Sequence, residues 1–425
     1  MISRQNVSVI QNPMHKQQTA SSCVGEALET LQTWMQSSDY AGYEPYDMLN
    51  SPYFKGRWAR RQPLATLMIQ SGKHFGMGLR RLFRVPASKN PKTIGLVMSA
   101  YCDLASCRQE SESEARYLKL ELQRLRSPHE QYFCWGYDWD YVALRGTKLT
   151  AFSPNCIATY FCANALLDMA AVFGDLEAVA MAKSAGQFLV QRLNRSVDTK
   201  EQICFSYSPN DHTRIYNNSG LAGALLARLA DGGQQTEYLT LARRSMRYLA
   251  DQQRPDGSWT YGAGRVQNWI DGFHTGYNLC ALLEYRRATG DASFDPNIDC
   301  GYEFYKRSFF REDGAPKYFN DRVYPIDIHS CAQAILTFCA FCDRDPEAFA
   351  SAQRTAHWTI QNMRSPEGYF FYQHHRLRTD RTPYMRWGQA WMFRALARLQ
   401  AFLASEGGNR TYSAGVSAAV NAHSA

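Results

Sequence analysis

Six short segments that are typical of helix starts recur along this chain at nearly even spacing. Measured at residues 92, 155, 218, 274, 329 and 384, the successive steps are 63, 63, 56, 55 and 55 residues. Such a period is longer than one helix and shorter than a domain, so it indicates stacked helical hairpins. Six hairpins can close into a ring, and the sequence therefore predicts an all-α fold, an (α/α)6 toroid. The six segments are Asn90-Pro91-Lys92, Ser153-Pro154-Asn155, Asn217-Asn218-Ser219, Phe273-His274-Thr275, Ile328-His329-Ser330 and Pro383-Tyr384-Met385.

Two kinds of helical stretch alternate along the chain. Residues 176–193 and 237–252 carry charged residues on one face, which is typical of helices at a protein surface. Residues 219–229, 275–283 and 330–342 are nearly free of charge and rich in small residues, which is typical of buried helices. This alternation predicts an inner ring of helices that begin near the six segments and an outer ring of amphipathic helices.

Pairing the two kinds of helix gives the predicted domain organisation. If each outer helix pairs with the inner helix after it, residues 64–82 and 92–107 form the first hairpin. We then expect an N-terminal extension with one helix at 1–60 and the toroid at 61–404. The last stretch, 405–425, is rich in Ser, Gly and Ala and is expected to be a disordered tail.

The connections between the helices are unequal in length. Inner-to-outer turns are short, as at Gly174-Asp175 and Gly290-Asp291. Outer-to-inner connections span roughly 20 residues, and loops of that length inside a compact fold are usually functional. They lead to the N-termini of the inner helices, whose free N–H groups favour anions. The sequence therefore predicts short β-like loops and a binding site on one face of the ring.

Composition argues against several other classes of protein. A net charge of +8, from 47 basic and 39 acidic residues, comes without a run of Arg and Lys interleaved with aromatics, so we expect no nucleic-acid partner. The twelve cysteines show no metal-ligand spacing beyond one CxxC pair, so we expect no disulfide framework, no metal and no cofactor. Residues 1–19 lack the apolar core of a signal peptide, and no uncharged apolar run reaches about 18 residues. We expect a cytoplasmic protein with no stable membrane span.

One loop holds the densest group of aromatic and acidic residues, Trp135-Gly136-Tyr137-Asp138-Trp139-Asp140-Tyr141. Aromatic faces stack on sugar rings, so Trp135, Tyr137 and Trp139 are candidate substrate-binding residues. Asp138 and Asp140 share one face of an extended segment, where mutual repulsion can raise one pKa and create a catalytic acid and base. The alternative is that both aspartates cap neighbouring helices, and the sequence leaves the two interpretations open.

Two histidines occupy matching positions at the starts of neighbouring inner helices. His274 follows Asp271 by three residues, and His329 follows Asp327 by two. A pair in register around a ring predicts catalytic histidines that face the central cavity, with the two aspartates as substrate-binding residues. Tyr277 lies one helical turn after His274 and is expected to face the same cavity.

The remaining inner-helix starts add polar candidates. Asn217 and Asn218 at the third start are candidate binding residues. At the sixth start, Tyr384 is a further candidate catalytic residue, followed by Arg386 and Trp387 as binding residues. Arg is well shaped for binding a carboxylate. The starts together predict a polar mouth suited to a polyhydroxylated, anionic substrate.

Six segments spread over most of the chain carry a resemblance to a known family. They are Gly42-Tyr43-Glu44-Pro45-Tyr46-Asp47, Leu49-Asn50-Ser51-Pro52, Asn90-Pro91-Lys92, Asp271-Gly272-Phe273-His274-Thr275-Gly276-Tyr277-Asn278, Tyr324-Pro325-Ile326-Asp327-Ile328-His329 and Arg386-Trp387-Gly388-Gln389. With them the chain resembles polysaccharide biosynthesis proteins of bacterial exopolysaccharide and capsule gene clusters. The toroid also resembles the helical domains of D-glucuronyl C5-epimerases, glucuronyl hydrolases and polysaccharide lyases, and the C5-epimerases carry a similar Arg-Trp pair. The resemblance implies a carbohydrate partner, with glycosyltransferases or a polymerase of the same pathway as further candidates.

The resulting hypothesis is a polysaccharide biosynthesis protein that binds an acidic glycan or its precursor in a central cavity. If the reaction is proton abstraction beside a uronate carboxylate, as in an epimerase or lyase, His274, His329 and Tyr384 are the candidate acids and bases. Arg386 would then neutralise the carboxylate. If the reaction is hydrolysis, the two aspartates of the aromatic loop are the better candidates.

Two other classes stay open. Residues 253–259 resemble the QW repeat of triterpene cyclases, which allows a terpenoid- or lipid-binding toroid, although the Asp-rich acid motif of cyclases is absent. In those proteins the repeat ties an outer helix to its loop, and we expect the same structural role here. The basic segment 73–84 allows a non-catalytic scaffold of a polysaccharide assembly machine, in contact with an anionic membrane surface.

Overall fold

The computed structural model describes residues 13–54, 56, 61, 63–142, 148–230 and 235–405, and most of these residues are helical. The predicted tail therefore lies outside the described residues, apart from residue 405. The α-helices are α1 (Pro13–Ser37), α2 (Leu64–Leu82), α3 (Pro91–Leu104), α4 (Ser111–Arg124), α5 (Cys156–Phe173), α6 (Leu176–Arg192), α7 (Tyr216–Leu229), α8 (Gln235–Asp251), α9 (Gly272–Thr289), α10 (Asp295–Phe309), α11 (Ile328–Ala340), α12 (Ala348–Met363) and α13 (Ala390–Ala404).

Six of these helices form a closed inner ring. The order around the ring is α3, α5, α7, α9, α11 and α13, and α13 packs on both α11 and α3. The predicted (α/α)6 toroid is confirmed. The inner helices are buried on nearly all sides, which explains why their sequences lack an amphipathic pattern.

The inner helices begin near the predicted signals, and Asn or Asp side chains cap the first turns of four of them. The third, α7, begins after Ile215 without a side-chain cap. Asn90, Asn155, Asp271 and Asp327 each accept a hydrogen bond from a backbone N–H at the start of α3, α5, α9 and α11. Such a cap satisfies one of the N–H groups that a helix start leaves without a partner. The sixth start differs, since a short π-helical segment, Met385–Gln389, precedes α13.

The outer layer contains one unexpected helix. α4, α6, α8, α10 and α12 pack on the inner ring as amphipathic helices, and α1 packs against α12 and α13 in the remaining outer position. Leu28, Leu31 and Met35 of α1 are fully buried there. The predicted pairing of residues 64–82 with 92–107 as the first hairpin is therefore wrong.

α2 lies away from the outer layer. Its main packing partner is a short 3-10 helix, Asp47–Asn50, and its side chains Leu67, Phe75 and Leu82 are exposed. The basic and apolar composition of residues 64–82 resembles that of an outer helix, so the sequence pattern could not separate the two positions.

Short strands lie in the long connections, as predicted. β1 (Tyr141–Val142) pairs with β2 (Lys148–Leu149), and β3 (Arg195–Asp198) pairs with β4 (Ile203–Phe205), in both cases antiparallel. β6 (Gln373–His374) pairs antiparallel with both β5 (Ile326–Asp327) and β7 (Thr379–Asp380). Because these connections lead into the N-termini of inner helices, the strands gather at one end of the ring.

Two tryptophans tie loops to the ends of outer helices. The Trp259 indole N–H donates to the carbonyl oxygen of Leu249 near the end of α8, at 3.0 Å. The structural role predicted for residues 253–259 is thus confirmed. Trp135 makes the equivalent bond to Leu122 on α4, at 2.8 Å.

One helix among the described residues, α5, is long and apolar enough to span a membrane. About two thirds of it, 67%, is buried inside the protein, because α5 is an inner helix of the ring. The apolar composition of α5 follows from its buried position in the inner ring.

Candidate functional site

His329 lies at the centre of an aromatic cluster at the N-terminal end of the inner ring. The rings of Phe273 and Trp391 stack on its imidazole, with centroids at 4.5 and 4.6 Å, and the indole of Trp387 meets it edge-on at 4.9 Å. Burial lowers the pKa of His329 well below its usual value, and the nearby cations, with Lys92 first, add to that effect. His329 is therefore a neutral imidazole at physiological pH.

Tyr277 contacts one nitrogen of that imidazole. The Tyr277 hydroxyl and the His329 Nε2 atom are 2.6 Å apart, and burial raises the pKa of Tyr277 well above its usual value, so Tyr277 keeps its proton. In the tautomer in which the Tyr277 hydroxyl donates to Nε2, the Nδ1 atom carries the imidazole hydrogen. The Nδ1 atom is buried and has no hydrogen-bond partner among the described residues. A ligand oxygen could accept this hydrogen bond.

His274 forms a second, more accessible imidazole one inner helix away. Its Nδ1 atom lies 2.7 Å from Oδ2 of Asp271, and its side chain is 19% exposed. Asp271 also accepts the indole N–H of Trp269 at 2.8 Å and the backbone N–H of His274 at 2.8 Å. A carboxylate in this position orients the imidazole and stabilises its protonated form, which is the arrangement of a general base.

Asp327 joins three elements around His329. It accepts hydrogen bonds from the backbone N–H of His329, the amide of Gln373 and the indole N–H of Trp387, at 2.8, 2.7 and 3.0 Å. Burial raises the pKa of Asp327 to about 6. The predicted binding residues Asp327 and Trp387 are thus in contact, and both lie beside the predicted catalytic histidine.

Arg386 is already paired within the protein. Its guanidinium lies 3.0 Å from the Glu44 carboxylate, and its backbone N–H donates to the same group at 2.9 Å. The guanidinium also packs over the rings of Tyr137 and Trp139, at 4.9 and 5.0 Å from their centroids. Those two rings stack on each other at 4.7 Å. Three predicted binding residues therefore meet in one cluster.

Glu44 was not identified as a site residue from the sequence. Burial raises its pKa to about 8, against the opposing effect of Arg386. Its only sequence signal was its place in the segment 42–47, one of those that carry the family resemblance. The parallel bridge between Tyr43 and Tyr384 brings this segment to the sixth inner-helix start.

The acidic residues of the aromatic loop hold the loop in place. Asp138 accepts hydrogen bonds from Ser88 and from the helix-capping Asn90, and it is 6% exposed. Burial raises its pKa. Asp140 accepts the backbone N–H of Ala151 at 2.9 Å. Through these bonds Asp138 supports the Asn90 cap of α3, and Asp140 fixes a turn of the loop; neither bond comes from a helix N–H.

Trp135 has a structural role rather than the predicted contact with substrate. Its side chain is fully buried, and its indole N–H is bonded to the end of α4. It therefore offers no exposed ring face on which a sugar could stack.

Three other predicted residues lie in separate environments. Tyr384 is fully buried, with the Arg80 guanidinium 4.9 Å from its ring centroid, and burial raises its pKa. Asn218 donates to the carbonyl oxygens of residues 205 and 206, which fixes the loop before α7. Asn217 is 3% exposed, and its side-chain oxygen has no partner among the described residues. The Tyr384 hydroxyl and the side-chain oxygen of Asn218 likewise have no hydrogen-bond partner among the described residues.

Lys92 is a site residue that the sequence reasoning missed. It is the second residue of α3 and is 2% exposed, with its ammonium nitrogen 4.1 Å from the Phe161 ring centroid. It also faces Trp391 at 5.0 Å and Tyr277 at 5.6 Å, so it lies beside the Tyr277–His329 pair. The available signal was a single lysine at the head of an inner helix whose other charged residue, Asp103, lies near its end.

No group of three or more His, Cys, Asp or Glu side chains within the described ranges could hold a metal ion. The twelve cysteines are free, and most are buried in the helical core.

Comparisons with known proteins agree with the toroid. No family model and no curated protein matches the chain. Among solved structures, cellobiose 2-epimerase from Bacillus thermoamylovorans has a TM-score of 0.60 at 12% identity, over 76% of this chain and 90% of that one. An unsaturated glucuronyl hydrolase specific for heparin has a TM-score of 0.59 at 13% identity, over 92% and 99%. A D-mannose isomerase has a TM-score of 0.57 at 12% identity, over 74% and 87%. At these identities the likeness shows the fold alone.

Proposed function

We propose that this protein is a carbohydrate-active enzyme that transfers a proton at a sugar carbon next to a carbonyl or carboxylate group. The observation that carries the proposal is a pair of histidines in different surroundings at one end of the ring. His274 is oriented by a carboxylate, whereas His329 is neutral and its Nδ1 atom has no hydrogen-bond partner among the described residues. The shared fold with a cellobiose 2-epimerase and a D-mannose isomerase supports the same reaction class.

The two histidines suit different parts of such a reaction. The His274 imidazole would accept the proton from carbon, and Asp271 would stabilise the imidazolium that forms. The electron pair left on carbon would move to the adjacent oxygen, which then bears negative charge. A neutral imidazole N–H stabilises such an oxyanion by hydrogen bonding, and His329 is positioned for that role.

The substrate we propose is an acidic glycan or its precursor, in a pathway of polysaccharide biosynthesis. The resemblance to proteins of exopolysaccharide clusters supports the pathway, with glycosyltransferases or a polymerase as partners. Hydrolysis is less well supported, because Asp138 and Asp140 are both engaged in loop contacts.

Solvent exchange tests the reaction directly. Incubation in deuterium oxide with glucuronate-containing oligosaccharides, cellobiose and mannose should replace one carbon-bound hydrogen in at least one of them, as measured by proton NMR. Replacement of His274 by glutamine should slow this exchange roughly 100- to 10,000-fold, because a general base contributes that much. His357 lies exposed on α12, so His357→Ala serves as the matched control and should exchange at the wild-type rate.

Two results would contradict the proposal. One is release of a reducing end from the oligosaccharides with no deuterium on carbon, which is the signature of hydrolysis. The other is exchange that His274→Gln leaves at the wild-type rate.

A further inference from the structure

Five basic side chains are almost completely buried among the described residues, and four of them have a carboxylate partner. The pairs are Arg80 with Asp47, Lys119 with Asp175, Arg386 with Glu44 and Arg394 with Asp103. The fifth is Lys92. It has no ion pair and no side-chain hydrogen bond within the described part of the chain.

The surroundings of Lys92 compensate only in part for the missing carboxylate partner. The faces of Phe161, Trp391 and Tyr277 attract the ammonium group, as aromatic rings attract cations. Aromatic rings cannot accept the three N–H hydrogen bonds of an ammonium group, and burying an unpaired charge is costly. Burial and the nearby Arg386 accordingly lower the pKa of Lys92. A side chain chosen for packing alone would be a methionine, which has a similar shape and no charge.

The position of Lys92 places this cation in the candidate site. Tyr277 touches it with its ring and bonds His329 with its hydroxyl, and Trp391 stacks on His329 while facing Lys92. Arg386, the residue predicted to bind an anionic substrate, is already held by the Glu44 carboxyl group at 3.0 Å. Lys92 is therefore the almost completely buried basic side chain of this site that has no carboxylate partner within the described residues.

We propose that Lys92 is the specificity-determining residue that binds the carboxylate of a uronate substrate. This inference rests on the proposed function, and it assigns the anionic group to Lys92 instead of Arg386. The substrate carboxylate would supply the missing ion-pair partner and accept hydrogen bonds from the ammonium group. A sugar bound in this way has a fixed orientation relative to His329 and Tyr277.

Calorimetric titration with glucuronate and with glucose, its uncharged counterpart, tests the assignment. The wild-type protein should bind glucuronate more tightly than glucose. Lys92→Met should weaken glucuronate binding roughly 10- to 100-fold, because a charge-assisted hydrogen bond is lost, and should leave glucose binding unchanged. Lys92→Arg, which keeps the charge, should retain part of the preference.

Stability measurements separate a binding role from a structural one. Lys92→Met removes an unpaired buried charge, so its melting temperature should equal or exceed that of the wild type. The matched control is Lys119→Met on α4, which breaks the ion pair to Asp175 and should lower the melting temperature while leaving glucuronate binding unchanged.

The two proposals fail in distinguishable ways. Equal wild-type affinities for glucuronate and glucose, or a preference that survives in Lys92→Met, would overturn the role of Lys92. Exchange at carbon on uncharged sugars could still support the proposed function in that case. Conversely, Lys92-dependent binding of glucuronate without exchange on any sugar would uphold the role of Lys92 and reject the proton transfer.

Discussion

Glu44 and Arg386 are in contact in the protein interior although 342 positions separate them in the chain. Burial of the carboxyl group opposes its ionisation more strongly than Arg386 favours it, which is why the pKa of Glu44 rises to about 8. Asp47 and Asp327 lie in similar surroundings, and burial raises the pKa of each to about 6. The raised pKa values of these three carboxyl groups have the same cause, which is their removal from water in the folded protein.

Glu44 makes stability depend on pH in a direction that can be measured. In the unfolded chain it loses its proton near pH 4.5, but in the folded protein it does so only near pH 8. The folded state thus binds the proton more tightly, so the contribution of Glu44 to stability is lost as the pH rises from about 4.5 to 8. Glu44→Gln, which mimics the protonated form, should flatten the fall in melting temperature over that range.

One result would contradict the expected effect of Glu44→Gln. If Glu44→Gln lowers the melting temperature by the same large amount at pH 5 and pH 9, the carboxyl group is ionised throughout and the pair with Arg386 dominates. Gln252→Glu, at a half-buried position outside the site, controls for the general effect of charge changes on the pH profile.

At the scale of secondary-structure elements, α1 and α2 exchange the positions that the sequence suggests. α1 completes the outer layer against α12 and α13, and α2 packs beside the short helix Asp47–Asn50. Both are amphipathic, so both satisfy the local requirement for a surface helix. Their difference lies in how much apolar surface each one buries.

A pair of leucine substitutions measures that difference. Leu31 on α1 is fully buried, so Leu31→Ala should lower the free energy of unfolding by about 2–5 kcal/mol. Leu67 on α2 is 61% exposed, so Leu67→Ala should change it by no more than about 0.5 kcal/mol. Urea denaturation of both variants would test the packing of the two helices. A larger loss of stability in Leu67→Ala than in Leu31→Ala would contradict that packing.

At the scale of the whole molecule, the ring closes through its last inner helix. α13 packs on α11, on α3 and on α1, so helices near the two ends of the described chain share one core. Its buried side chains include Trp391, Met392, Phe393, Leu396 and Leu399. The stability of the toroid is therefore expected to depend on the complete set of six inner helices.

Truncation tests this dependence. A chain that ends at residue 389 lacks α13 and exposes the faces of α3 and α11, so it should bind a hydrophobic dye and lose its cooperative thermal transition. A chain that ends at residue 405 retains every inner helix and should unfold like the full protein. Cooperative unfolding of the shorter chain would show that an open ring is stable on its own.

The toroid, the starts of its inner helices and the loops at one end could be predicted from the sequence, because capping residues and hydrophobic periodicity are local signals. The sequence also brought His274, Tyr277 and His329 into one candidate site through their matching repeat positions. The contact of Arg386 with Glu44, and the lack of a carboxylate partner for Lys92 among the described residues, became visible in the tertiary structure alone. Ion pairing and burial depend on which distant segments meet, and no local pattern encodes that. The same reason explains why α1, and not α2, completes the outer ring.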